Sequence, residues 1–342
     1  MSGPGATTLA LEAEADRALA APLEGHGEVV FVNFPNIDNP GDSAIYAGTM
    51  RLLDRLQVEV SLALEPRAYR RNLIRRVAGE RGTILIQGGG NLGDLYRKQG
   101  QQSVRARVLR DFPRAHVVQL PQTMYFQEAR WADRFAALCK AHENLTMLLR
   151  DQASIERAKA LGIPAVACPD LAFGLGPRER AKLPELDVAW LVRQDVEGKH
   201  GDGALDGASF DWPTGRQQRA GEAGAALARE LAALKRRTEW AGRAPKRFEP
   251  AALRRATRLY DSIANRRTAL ALELVAKGRV LVTDRLHGHL LACICGVPNV
   301  LLDNSYGKNR SVFDTWTHRY AIARFAESPA EARSSAQNLI RA

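Results

Sequence analysis

Short apolar runs recur along the first half of the chain, each followed by a polar turn and then by apolar residues at helical spacing. Val29–Phe34 has the length and β-branching of a buried strand, Asn36–Gly41 carries turn chemistry, and Ala44–Leu56 has the period of a helix. The theme repeats through a strand over Val58–Leu64, a basic helix near Ala68–Ala78 and a strand over Thr83–Ile86 that ends on Gly88–Gly90. Further strands are expected over His116–Leu120, ending on Pro121, and over Leu145–Leu149 and Ala165–Ala167. Strands alternating with helices predict a parallel sheet covered on both faces.

The pattern breaks near Pro177–Pro184 and a new series begins with Asp187–Val192. A polar, Arg-rich stretch from Glu197 to about Arg254 reads first as a mobile loop and then as surface helix. Helices over Leu270–Ala276 and Leu286–Cys295 alternate with strands over Arg279–Val282 and Asn299–Leu302, and a final helix runs from about Pro329 to Ile340. The expected fold is α/β, with two Rossmann-like doubly wound domains, 28–180 and 185–325, facing a central cleft. Residues 1–27 are expected to form a flexible leader with a short helix near Leu9–Ala20, 197–254 an insertion, and 326–342 a terminal helix.

A length of 342 residues fits two such domains. No apolar run reaches the roughly 18 residues of a membrane-spanning helix, and the start lacks the pattern of a signal peptide, so a cytoplasmic protein is expected. Cys139, Cys168, Cys293 and Cys295 lie inside apolar patterns, which predicts buried reduced thiols and no zinc site. No metal-ligand cluster and no cofactor motif stands out. The net charge of +11 implies an anionic partner. With no nucleic-acid motif beside the basic clusters, an anionic small substrate or a membrane lipid is expected, and nucleic acid is not.

In doubly wound sheets ligands bind beyond the carboxyl ends of the strands. The residues there are unusually polar. Gly88-Gly-Gly-Asn-Leu-Gly93 spells G-x-G-x-x-G, but the next strand ends in Gln119-Leu-Pro-Gln122 with no acid for a ribose, so dinucleotide binding is rejected. Gly89 and Gly90 still let backbone approach a ligand, with Asn91 and Gln122 as further candidate substrate ligands. The plainer alternative is a tight strand-to-helix turn capped by Asp94. Asp42 is either a helix N-cap or a ligand to a sugar hydroxyl. Arg150, after a strand and before the capping Asp151, suits a bidentate carboxylate or phosphate, or else a salt bridge such as one to Asp170. The same logic applies to Arg193. Lys308 suits a phosphate, or is a solvated loop lysine. Arg285 and His287, in Thr283-Asp-Arg-Leu-His-Gly-His289, sit where a helix begins. Positive groups at a positive helix end make sense when an anion occupies the site. His289 reads as surface or as a support behind the site.

The ordered set resembles the polysaccharide pyruvyl transferase family. It comprises Asn39-Pro-Gly-Asp-Ser-Ala-Ile45, Gly88-Gly-Gly-Asn-Leu-Gly-Asp94, Leu120-Pro-Gln122, Leu149-Arg-Asp-Gln-Ala-Ser154, Pro169-Asp-Leu-Ala-Phe173, Thr283-Asp-Arg-Leu-His-Gly288 and Tyr306-Gly-Lys308. The resemblance implies a fold like the GT-B glycosyltransferases. It also implies transfer of pyruvate from phosphoenolpyruvate, as donor substrate, onto a sugar of an exopolysaccharide or cell-wall glycan as a ketal. It places the donor on Arg285, Leu286 and His287, with a further arginine at Arg193 or Arg150. His287 is the candidate acid–base, with Arg285 beside it, because imidazole carries protons near neutral pH. A lipid-linked oligosaccharide acceptor would account for the basic surface through anionic lipid. Two alternatives stay open from the residues alone: a nucleotide-sugar glycosyltransferase of the same architecture, and a non-catalytic polysaccharide-binding protein.

Overall fold

The computed structural model describes residues 3–36, 39–96, 101–193, 209–213, 226, 229, 232–233 and 249–341. Two parallel sheets organise it. The first contains β1 (Glu28–Val32), β2 (Glu59–Leu64), β3 (Thr83–Ile86), β4 (Gly89–Gly93), β5 (His116–Tyr125), β6 (Leu145–Leu149) and β7 (Val166–Ala167). Its order is β2-β1-β3-β5-β6-β7, with β4 also paired to β5. The second contains β8 (Leu186–Leu191), β9 (Ser209–Phe210), β10 (Gly278–Thr283), β11 (Asn299–Leu302) and β12 (Ala323–Ala326), in the order β12-β11-β10-β8-β9.

Both strand orders reverse direction once. In the first sheet the chain goes from β1 outward to β2 and then back to β3 on the other side. In the second it goes from β8 to β9 and back to β10. Such reversal points open a crevice at the carboxyl ends of the strands, because the flanking loops leave in opposite directions. The residues at these two points follow β1 and β3, and β8 and β10.

Period-two alternation assigns each strand's faces. In the first sheet Val30 and Val32 face a core with Val108, Phe135 and Ala158, whereas Val29 and Phe31 face one with Leu19, Tyr46 and Ile263. In the second, Trp190 and Val192 pack with Ala332 and Ala336 of the last helix, Pro329–Arg341, whereas Ala189 and Leu191 pack with Leu290 and Val275.

Three expectations need correction. The leader is an ordered helix, α1 (Pro4–Leu23), because Leu11, Ala15 and Leu19 fall on one stripe and are fully buried. Most of the Arg-rich stretch, including 197–208, lies outside the described residues. Its described residues include 209–213, which carry β9, paired parallel to β8. The helix Glu249–Val275 starts inside that stretch and runs on beyond it, where it buries Tyr260, Ile263 and Ala264 against the first sheet's core and Ala271 and Val275 in the second's. Finally, β5 does not stop at Pro121. It passes through the proline at a register shift between Gln119 and Gln122 and continues to Tyr125, because a bulge tolerates the missing N–H. The four cysteines are free and buried, as expected.

Candidate active site

Arg150 follows β6 and is fully buried. Its Nε donates to Thr123 Oγ1 at 3.0 Å, and its Nη1 lies 2.5 Å from Asp170 Oδ2 and 3.4 Å from His287 Nε2. Its carbonyl accepts from Trp316 Nε1 at 2.8 Å. Asp170 follows β7 and caps a short 3-10 helix by accepting from Ala172 N at 2.9 Å. His287 lies in the first turn of the helix Leu286–Ile294, which follows β10 of the second sheet, and its Nε2 is 3.5 Å from Asp170 Oδ2. Burial opposes ionisation of Asp170, but the Arg150 charge and the His287 ring outweigh it and hold the carboxyl well below the usual range. The salt bridge expected as the plainer role of Arg150 therefore exists, and it sits against the candidate acid–base.

The first turn of α2 (Pro40–Arg55) closes the other side of this ring. A Cβ on Gly41 would lie 2.4 Å from His287 Nδ1 and 2.6 Å from its Cβ, so only glycine fits. Asn39, not Asp42, is the N-cap: its Oδ1 accepts from Gly41 N at 3.1 Å, and its Nδ2 donates to Asp42 Oδ2 at 2.9 Å. Asp42 faces the cluster. Burial raises its pKa, against the pull of His287, Arg150 and Lys308. Lys308 is the first residue of the helix Lys308–Thr315 and is buried, not solvated in a loop. Its Nζ lies 5.1 Å from the centre of the Tyr306 ring. A Cβ on Gly90 would come within 3.0 Å of Arg150 Nη2 and 3.6 Å of Lys308 Nζ.

Gly88–Gly93 does not make a strand-to-helix turn. Gly89–Gly93 is β4, with Gly89 at φ +125° and its Cα facing Asp42 and Ile45. The Asp94 carboxylate accepts from Gln127 N and Glu128 N. Asn91 and Gln122 bond to each other where β4 pairs with β5. Gln122 is fully buried, accepts from Asn91 N at 3.1 Å and donates to Gln87 O at 3.0 Å. A buried arginine missed in the sequence, Arg105, completes this support. It donates to Gln119 Oε1 at 2.6 Å, Gln102 Oε1 at 2.6 Å and Asn91 Oδ1 at 2.8 Å. These partners are neutral, and burial pushes the guanidinium down to about 9. Its signal was faint: one more arginine in a basic helix.

A second group surrounds the reversal point of the second sheet. Thr283 Oγ1 donates to Leu191 O at 2.5 Å and accepts from Arg285 N at 3.0 Å. Asp284 Oδ1 accepts from Arg193 N at 2.8 Å, and burial pushes the Asp284 carboxyl up to about 6. Arg285 grips Asp211 with Nε at 2.7 Å and Nη2 at 2.5 Å. Asp211 was hidden in the stretch read as loop; the Phe210-Asp-Trp212 run was its only local signal. The Leu286 side chain packs in the second core, so only its backbone, at the start of the helix, is left to face a ligand. His289 is fully buried, bonded to Asn299 Oδ1 at 2.5 Å and Thr317 Oγ1 at 2.7 Å, and is not on the surface. Of the two arginines left open, Arg150 is the one that reaches His287. Among the described residues, no three His, Cys, Asp or Glu side chains are placed to hold a metal ion.

A family model for polysaccharide pyruvyl transferases matches residues 39–306. Pyruvyl transferase 1 of Schizosaccharomyces pombe is 28% identical over 314 residues, spanning 86% of this chain and 71% of that protein. The Bacillus subtilis protein EpsO, also named a pyruvyl transferase, is 27% identical over 292 residues, spanning 84% of this chain and 85% of its own. A crystal structure of a Klebsiella pneumoniae protein without an assigned function shares the fold, with a TM-score of 0.60 and 19% identity over 93% of this chain and 99% of that one.

Proposed function

Since this chain belongs to the polysaccharide pyruvyl transferase family, we propose that it moves pyruvate from phosphoenolpyruvate onto a sugar of an exopolysaccharide or cell-wall glycan precursor, as a ketal. The observation that carries the reading is the meeting of Arg150, His287, Lys308 and Asp42 from both sheets at strand carboxyl ends. Helices starting at Pro40, Leu286 and Lys308 converge there, and helix N-termini favour anions. Phosphoenolpyruvate carries two anionic groups and suits such a place.

In this scheme His287 delivers a proton to the enol methylene, which makes the neighbouring carbon electrophilic. A sugar hydroxyl adds to that carbon and returns a proton to His287. The bond from that carbon to the phosphate oxygen then breaks, and a second hydroxyl closes the ketal, its proton leaving with the phosphate. Asp170, ionised and 3.5 Å from the ring, orients His287, and Arg150 holds Asp170. Arg285 and Arg193 supply further cations for the donor. The net charge of +11 suits a cytoplasmic protein that meets a lipid-linked acceptor at an anionic membrane face. No helix among the described residues is long and apolar enough to cross the membrane itself.

Calorimetry with phosphoenolpyruvate, without added metal, tests the donor. Saturable binding at or below about 1 mM is expected. Binding of nucleotide sugars in place of phosphoenolpyruvate would move the protein to the glycosyltransferase reading.

A further inference from the structure

Resting on the reading of Arg285 as a donor ligand, we propose that Asp211 is a positioning residue: it holds the Arg285 guanidinium by its Nε–Nη2 edge before the donor arrives. Arg285 is the N-cap residue of the helix Leu286–Ile294, with extended backbone at φ −84°, ψ 109°. Its side chain has four rotatable bonds between backbone and fork. Left alone, it would lose much rotamer freedom on gripping an anion. Asp211 removes that freedom in advance. Its two oxygens meet Nε and Nη2 in parallel, at 2.7 and 2.5 Å, with both side chains largely buried. A guanidinium has a second edge, Nη1–Nη2, of the same fork geometry, with which a carboxylate or phosphate can be held while the first stays paired.

Asp211 is itself fixed through both of its neighbours in the chain. Phe210, just before it, pairs with Leu191 of β8, and Val192 N donates to Phe210 O at 2.9 Å. Trp212, just after it, is buried in the second core, and its N–H donates to Asp211 Oδ1 at 2.6 Å. The two-residue strand β9 thus carries a carboxylate to the end of β8, opposite the arginine that follows β10. The arrangement gives a reason for an ordered strand within a polar stretch.

The test is phosphoenolpyruvate affinity by calorimetry in Asp211→Asn, Asp211→Glu, Arg285→Lys, Arg285→Ala and the double variant Asp211→Asn/Arg285→Lys. Asp211→Asn is expected to weaken the donor about tenfold, as an arginine ordered only on binding would. Asp211→Glu should recover part of that loss. In the Arg285→Lys background, which lacks the planar fork, Asp211→Asn should add less than it does alone. A melting temperature close to wild type in Asp211→Asn separates positioning from loss of fold; should that variant not fold, Asp211→Glu against wild type decides. Unchanged or tighter binding in Asp211→Asn, or an equal loss in both backgrounds, overturns the proposal. Wild-type affinity in Arg285→Ala would instead remove Arg285 from the donor site and take the role of Asp211 with it.

Discussion

His287 sets its Nε2 against the paired Asp170 carboxylate and Arg150 guanidinium, on a helix that points its N-terminus at the same place. Replacing it with alanine should cut turnover by about 10²–10⁴, the usual range for one general acid, while leaving the melting temperature near wild type. Steady-state kinetics and thermal unfolding of the two proteins side by side check this; turnover within a few-fold of wild type would make His287 a packing residue. Asp284 offers a different test. Burial raises its folded pKa from 3.8 to about 6. The unfolded chain releases that proton near pH 4, whereas the folded chain keeps it until about 6. This residue therefore costs stability as pH rises through that window, up to about 3 kcal/mol above it. Asp284→Asn keeps an acceptor for Arg193 N and loses the titration. Denaturant unfolding at about pH 4 and pH 7 should show the wild type losing ground to the variant; parallel changes would mean that Asp284 stays ionised at low cost.

At the scale of elements, α2 and the helix Leu286–Ile294 are locked together through the absence of a side chain. A Cβ at position 41 would collide with both the ring and the Cβ of His287, so no swing of the ring tip relieves it. Gly41→Ala should therefore reduce turnover by at least about tenfold through displacement of His287, with circular dichroism unchanged. Gly27→Ala, whose Cβ meets nothing within 4 Å, is the matched control and should be near neutral. Equal activity in the two variants would show that α2 tolerates a shift there. The sequence showed Gly41 only as turn chemistry, because the ring it makes room for lies far along the chain. Most strands were legible, since β-branched runs such as Val29–Val32 bury both faces. β4 was not: Gly-Gly-Asn-Leu-Gly has no strand preference and is a strand only through its pairing with β5.

The whole molecule is tied across its two sheets by helices from distant parts of the chain. Leu11 of α1 packs in the second sheet's core, and Ala15 and Leu19 pack in the first's. The helix Glu249–Val275 does the same with Val275 and Ile263. Leu19→Ala should thus cost about 2–5 kcal/mol, as for any well-packed buried leucine. Unfolding should stay a single transition by both tryptophan fluorescence and circular dichroism, because neither core is complete without these helices. A negligible change in stability, or two separate transitions, would mean that the helices are only laid on the surface.

The one-dimensional pattern determined much by itself. Apolar periodicity specifies strands and helices locally, so the α/β class and most strand ends, that of β5 excepted, were readable, as were buried cysteines and the cap at Asp151. Placing strand ends also placed the candidate ligands Arg150, Arg193, Arg285, His287 and Lys308, because parallel strands turn the same end toward the ligand. What the tertiary structure decided is which of these meet. Arg150 and His287 are brought together by the contact between sheets, and Asp211 reaches Arg285 by the pairing of β9 with β8. Such partners depend on long-range packing and carry no local signal. A buried charge needs a counter-charge or donors at a particular point in space, and sequence spacing does not specify that point.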